Sequence, residues 1–407
     1  MQDKMNPSTK LIKSSWFIPS LRKGVLLIFL LIIILGLSSI DRIRGFNNLS
    51  SYAVWIIWWP SLMIIAFLSI RLWCMVCPLR FVSEVYGKYG LEIKIPKTID
   101  RNKTLIAALL FLVLHSVVTS LSPNRLPITT AIYLLILLQY TAVAALIFEK
   151  NSFCRIFCPL GGMLNVFNRL GMVRFGRVDK EKCQQCFSKT CGKDCPIHLV
   201  PQELPNNSCI LCTDCIQHCE KNNIGFLRTN PLGLREMSMN RGEILSVIIL
   251  LGIALSEFAE RLKEMAATSG NWNLLLGKII NYVPGKLLPT SANSSLAKLL
   301  YITWDYLVFP LALTLILVMI CKIFFYRRSF RDHLINLSTS MIPFIFGVFL
   351  MILLNYPLSL FYTGPSSVRK AILLVFLVLG LLTSLYVFIR NLMGERPTAK
   401  YDKSLPI

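Results

Sequence analysis

Eight of the chain's 13 cysteines lie between Cys183 and Cys219. The second half of this stretch runs Cys209-x2-Cys212-x2-Cys215-x3-Cys219. Three thiolates separated by two-residue gaps can face one side of a small inorganic cubane. The fourth, set further along, reaches a neighbouring cluster. The first half runs Cys183-x2-Cys186-x4-Cys191-x3-Cys195-Pro196 and widens the middle gap. Under the crossed rule, Cys183, Cys186, Cys191 and Cys219 hold one [4Fe-4S] cluster, and Cys195, Cys209, Cys212 and Cys215 hold a second. The widened gap also suits a [3Fe-4S] centre at the first site. A pair of zinc sites is the alternative, because C-x2-C pairs serve tetrahedral zinc as well.

Four more cysteines stand in two pairs, Cys74/Cys77 and Cys154/Cys158, each followed by Pro-Leu. On a helix, spacings of three and four residues put both thiols of a pair on one face. These pairs read as a third redox or metal site, with redox-active dithiols and buried structural cysteines as alternatives. Cys321 stands alone in an apolar run and reads as a small hydrophobe. His115 lies in an apolar run, where an ionisable group is a functional candidate. With Glu257, Glu260 and Asp305 it forms the candidate quinol or proton site, since quinol oxidation needs a proton acceptor at a membrane edge. The remaining histidines, His198, His218 and His333, offer no second intramembrane haem ligand. No C-x2-C-H, Rossmann or P-loop motif occurs, so no haem, flavin or nucleotide site is expected.

The elements that carry these residues are membrane helices. Of 407 residues, 54% are hydrophobic and mean hydropathy is +0.59. That is too apolar for a soluble protein of this size. Apolar runs predict about eight spans, near 24–40, 52–73, 104–122, 129–148, 243–260, 300–321, 335–355 and 371–389. The first run lacks a small-residue cleavage site after it and reads as a retained span. Trp55, Trp58 and Trp59 suit an interfacial aromatic belt. Net charge is +22, and 32 of the 43 Lys and Arg fall in the segments assigned inside. Both termini and the eight-cysteine segment are thus expected on the cytoplasmic side, and nucleic acid is not expected as a partner. The charge balance is a topology signal that also suits anionic lipid.

The first four spans repeat. Cys77-Pro78-Leu79 recurs 81 residues on as Cys158-Pro159-Leu160, and Val85, Tyr86, Lys88 and Gly90 fall on Val166, Phe167, Arg169 and Gly171. Two spans per unit return the chain to the same side, so both Cys pairs are expected at one membrane depth, related by parallel pseudo-symmetry. The expected fold is mainly α: a polytopic helical membrane protein with an inserted two-cluster, ferredoxin-like α+β segment. Its parts are a four-span domain over 1–175, a cluster domain over 176–228 and four further spans over 229–407.

The motifs Trp73-Cys74-Met75-Val76-Cys77-Pro78-Leu79 and Cys154-Arg155-Ile156-Phe157-Cys158-Pro159-Leu160-Gly161, followed by the eight cysteines, resemble the NapH/MauN-type membrane ferredoxins. The NosR and CcoG families share this core. The resemblance covers residues 50–226. The first motif departs from the usual Cys-x3-Cys-Pro, Glu220 stands where the family has Pro, and the tail is longer than in NapH-like chains. The resemblance implies a membrane electron-transfer component of a respiratory chain. Its expected partners are the quinone pool and a protein redox partner, a periplasmic or membrane reductase, in the cytoplasmic (inner) membrane of a bacterium. The CcoG likeness implies instead a metal reductase serving enzyme maturation, and a redox-sensing or anchoring subunit is the third reading.

Overall fold

A computed structural model describes residues 12–14, 16–38, 48–69, 71–121, 126–149, 151–188, 190–193, 195, 209–236, 238–269 and 302–393. The chain is a mainly helical polytopic membrane protein. Among the described residues seven helices are long and apolar enough to cross a bilayer. An eighth helix, Lys103–Leu121, is apolar over Lys103–Thr119. The contacts divide the chain into two units, one of residues 1–107, 123–236 and 397–407, the other of 108–122 and 237–396.

In the first unit, α1 (Phe17–Ser38) and α2 (Leu49–Leu68) are followed by the short helices α3 (Leu72–Val76) and α4 (Pro78–Tyr86). The helix α1 begins seven residues before the apolar run predicted from 24, because Arg22 is not a flanking charge. It is buried, donates to Met75 O at 2.7 Å and pairs with Glu84 at 2.7 Å. Within α2, Tyr52–Trp58 is π-helical. Pro60 follows directly; it has no N–H to donate and its ring crowds the carbonyl of Ile56, so the ladder widens there. Trp55 Nε1 donates to Thr130 Oγ1 at 3.1 Å.

The helix α5 (Lys103–Leu121) continues from the first unit into the second, and α6 (Pro127–Ile147) returns to the first. Helix α1 packs on α6. Their approach is close at Gly36, where a Cβ would stand 2.7–2.9 Å from Ser50 Oγ, Ala131 Cβ and Pro127 O. After α6 come a π-helical turn at Phe153–Phe157, α7 (Gly161–Phe167) and β1 (Val173–Arg177). The cluster segment holds α8 (Lys180–Gln184), α9 (Thr190–Lys193) and α10 (Asp214–Gln217), then β2 (Ile224–Arg228). The strands β1 and β2 pair antiparallel with Phe175 opposite Phe226, their rings edge to face at 5.4 Å. This two-stranded ribbon closes the base of the segment. Cys191, Leu211, Cys215, Ile216 and Ile224 share a buried core with Met75 and Phe175, and Leu72 and Val76 of α3 pack on it.

The second unit holds α11 (Arg241–Ser269), α12 (Trp304–Phe324), α13 (Phe330–Phe361) and α14 (Ser366–Leu392). Helices α13 and α14 run together, with the Cα of Gly380 3.2 Å from where a Gly347 Cβ would sit. Gly252 on α11 admits the backbone of Asp305 and Tyr306, whose carbonyls would lie 2.7–2.8 Å from any Cβ there.

Candidate functional site

The cluster segment is tied to its own base by one side chain. Asn223 donates from Nδ2 to Cys183 Sγ at 3.2 Å and to Asp179 O at 2.6 Å, and accepts from Asp179 N at 2.9 Å. Its backbone N–H reaches Cys219 Sγ at 3.3 Å. Asp179 in turn caps α8 by accepting from Glu181 N at 2.8 Å. Cys183, on α8, is thereby fixed next to Cys219, at the far end of the motif.

The thiols fall into two neighbourhoods. Cys191 is pushed up to about 11, chiefly by burial and then by Cys219, Cys183 and Cys186 close by. Cys183 is raised by burial, with Cys219 and Cys186 beside it. Burial pushes Cys209 up to about 12, and its neighbours are Cys212 and Cys195. Cys212 and Cys215 are likewise raised by burial and also lie near Cys195, and Cys215 is within reach of Cys191 as well. Such thiols stay protonated at neutral pH unless a metal displaces the proton.

The loop that carries Cys209, Cys212 and Cys215 is bent accordingly. Leu211 has φ 47° and Thr213 φ 73°, the latter rare for a β-branched residue. This turns backbone N–H groups towards sulfur: Leu211 N lies 3.4 Å from Cys209 Sγ, and the Asp214 N–H serves Cys212. Amides aimed at sulfur suit thiolate ligands of an iron–sulfur cluster and help to set its potential.

The four membrane-edge cysteines also come together. Cys77 immediately precedes α4, and its sulfur receives the N–H groups of Arg80 and Leu79. Cys158 stands one Pro-Leu turn before α7 and receives those of Leu160 and Gly161. Cys154 has Cys158, Cys77 and Cys74 within electrostatic reach. Burial raises all four, Cys77 to about 12 and Cys158 to about 11. Arg71 binds the two repeats together, donating to Gly161 O at 2.6 Å and to Asn165 Oδ1. On its other side Cys154 packs against Cys195, Ile210 and Cys212. Among the described residues, no three His, Cys, Asp or Glu side chains form a set that could hold a single metal ion. The donor sets suit a polynuclear cluster better, since its ligand sulfurs sit on separate iron atoms and splay further apart.

Arg80 lies within electrostatic reach of both cysteine groups, through Cys154 and Cys212. It is 1% exposed, pairs through Nε with Glu84 at 2.8 Å, and leaves both terminal nitrogens without a hydrogen-bond partner among the described residues. Burial lowers its pKa, but Glu84, Cys212 and Cys154 more than offset this, so it is held above its ordinary value.

In the second unit, His115 lies 5.2 Å from the Tyr306 ring, centroid to centroid, with its Nε2 buried and unpartnered among the described residues. Tyr306 Oη and Thr119 Oγ1 are 3.2 Å apart, and Glu257 and Asp305 are within electrostatic reach of Tyr306. Three of the four predicted acid–base residues thus surround one tyrosine. The Glu260 side chain and His198 lie outside the described residues. Cys321 is half-buried on α12. His333 bonds only locally, to Phe325 O at 3.1 Å.

Asn223, Arg71, Arg80 and Tyr306 were not singled out by the sequence reading. The Arg residues counted only as topology charges, although Arg80 follows the Cys-Pro-Leu motif directly.

The family model for the 4Fe-4S binding domain matches residues 53–97 and 130–177. These stretches coincide with the two repeats. They contain Cys74, Cys77, Cys154 and Cys158 and none of the eight between Cys183 and Cys219. Two uncharacterized proteins of Methanocaldococcus jannaschii are similar to this chain. One is 29% identical over 173 residues, which are 40% of this chain and 67% of the relative. The other is 25% identical over 181 residues, 44% of this chain and 56% of the relative. No solved structure matches. In both of its repeats, then, this membrane protein is similar to 4Fe-4S binding domains, which supports an iron–sulfur electron-transfer role.

Proposed function

We propose that the chain is a membrane-bound iron–sulfur electron carrier with two [4Fe-4S] clusters in the segment between β1 and β2. Cys183, Cys186, Cys191 and Cys219 would hold one; Cys195, Cys209, Cys212 and Cys215 the other. The observation that carries this is the Asn223 clamp on Cys183 and Cys219, two cysteines that the crossed ligand rule assigns to one cluster. When bound, such clusters pass single electrons. The chain's own residues supply the surroundings. Asn223 and the Leu211 amide donate to ligand sulfur, which favours the more negative reduced state. Phe175, Met75 and Ile216 share a buried core with Cys191 and Cys215. The excess of Lys and Arg in the flanking segments supports a cytoplasmic location for the segment. Quinol and a protein redox partner are the proposed ends of the route. His115, Tyr306, Asp305 and Glu257 are the proposed proton-accepting groups for quinol. Metal analysis of the anaerobically purified chain tests the reading. Iron and acid-labile sulfide in equal amounts, at least about eight of each per chain, are expected. Stoichiometric zinc without iron would contradict it.

A further inference from the structure

We propose that Cys74, Cys77, Cys154 and Cys158 jointly hold a third [4Fe-4S] cluster, each repeat supplying half of the ligands, with Arg80 as the buried cation between it and the Cys195, Cys209, Cys212 and Cys215 site. The site itself is argued from its own residues. Its use as a relay rests on the function proposed above.

The two half-sites are built alike. In each, the second cysteine is followed by Pro-Leu and its sulfur faces two backbone N–H groups. Neither half suffices, because two thiols cannot satisfy four irons. The cross-repeat bonds from Arg71 to Gly161 O and Asn165 Oδ1 hold the halves together. A mononuclear ion is disfavoured, since no three of these donors close on one point. The 4Fe-4S binding family matches the chain only over the stretches that carry these four cysteines.

The independent observation is Arg80. Its two terminal nitrogens are buried without partners among the described residues, and both Cys154 and Cys212 lie within electrostatic reach. A buried guanidinium with unused N–H groups calls for an anion. With Arg80 stand two more buried arginines, Arg22 and Arg71, against the carboxylates Glu84 and Asp214, so positive charge is in excess. A pair of disulfides would be neutral and would leave that excess standing. A thiolate-ligated cluster is anionic and neutralises it. Electron passage is balanced and proton-free: one cluster loses one electron, the other gains it, and no bond to the protein forms or breaks. Contact of Cys154 with Cys195 and Cys212 keeps that step short.

The test is iron and sulfide analysis of the full-length chain, anaerobically reconstituted with iron and sulfide, together with a Cys77→Ala/Cys158→Ala variant. About twelve irons are expected in the parent and about eight in the variant, with the cluster signals of the eight-cysteine segment retained. About eight irons in both would overturn this inference and leave the proposed function standing. Zinc without iron in both would remove that function too. Arg80→Gln should shift the midpoint potentials of two clusters downward, because loss of a cation disfavours reduction, and Arg80→Lys should restore them. Unmoved potentials in Arg80→Gln at full iron content would overturn the role given to Arg80.

Discussion

Asn223 Nδ2 lies 3.2 Å from Cys183 Sγ although 40 residues of chain separate them. That bond, with the Asn223 N–H on Cys219 Sγ, closes the cluster segment at the same place where β1 and β2 pair. An amide donating to a sulfur ligand stabilises the charge that the ligand carries.

Replacing Asn223 with Leu therefore removes two roles at once. A hydrogen bond to a charged group contributes roughly 1.5–3 kcal/mol. The variant should lose about that much stability, and the cluster ligated by Cys183 should become harder to reduce. A potentiometric titration beside a denaturant melt checks both. An unchanged potential with full iron content would remove Asn223 from the site.

Metal removal should expose the raised thiols. Cys191 is pushed to about 11 and Cys209 to about 12, above the ordinary value of 9. A raised thiol pKa favours the folded apo state below pH about 9, and that contribution disappears as pH rises towards 11–12. Chelated protein should lose stability between pH about 9 and 11, while cluster-loaded protein should not. Thermal melts of the two forms across that range decide it.

Gly36 marks a close approach of α1 to α2 and α6. A Leu there would drive Cβ within 2.9 Å of Ser50 Oγ, Ala131 Cβ and Pro127 O. Overpacking of this kind costs roughly 1–3 kcal/mol. Gly36→Leu should lower the melting temperature in detergent, whereas Gly24→Leu, where nothing lies within 4 Å, should not.

Tyr306 stands between His115 and the acids of the second unit. His115→Leu should slow quinol-linked reduction of the clusters in membranes at least tenfold without changing iron content. Dithionite reduction should be unaffected. Equal quinol rates in variant and parent would exclude this group from proton handling.

The sequence made much of this legible where the signal is local. Apolar runs mark the helices, because burial in lipid needs length and composition alone. The first Cys-Pro-Leu motif sits at a helix start, because Pro is tolerated at a first turn, whereas in the second copy Pro159-Leu160 form a turn and the helix begins at Gly161. Long-range polar pairing was not legible. Arg22, Arg71 and Arg80 carry the same letters as topology charges, yet they are buried and their partners Glu84, Gly161 and Asn165 are set by packing. Arg22 lengthened α1 beyond the apolar run for that reason. Asn223 lies after the last cysteine of the motif and has no spacing rule to announce it. Tyr306 carries no signal of its own in the sequence; α5 and the start of α12 place it by His115 and Thr119.

The most direct test of iron–sulfur electron carriage is low-temperature EPR of the anaerobically purified full-length chain, before and after dithionite. Cysteine-ligated [4Fe-4S] centres that each take up one electron, lost when Cys183 or Cys209 is replaced by Ala, are the predicted result. A protein that accepts no electrons and holds zinc on the same cysteines would contradict it.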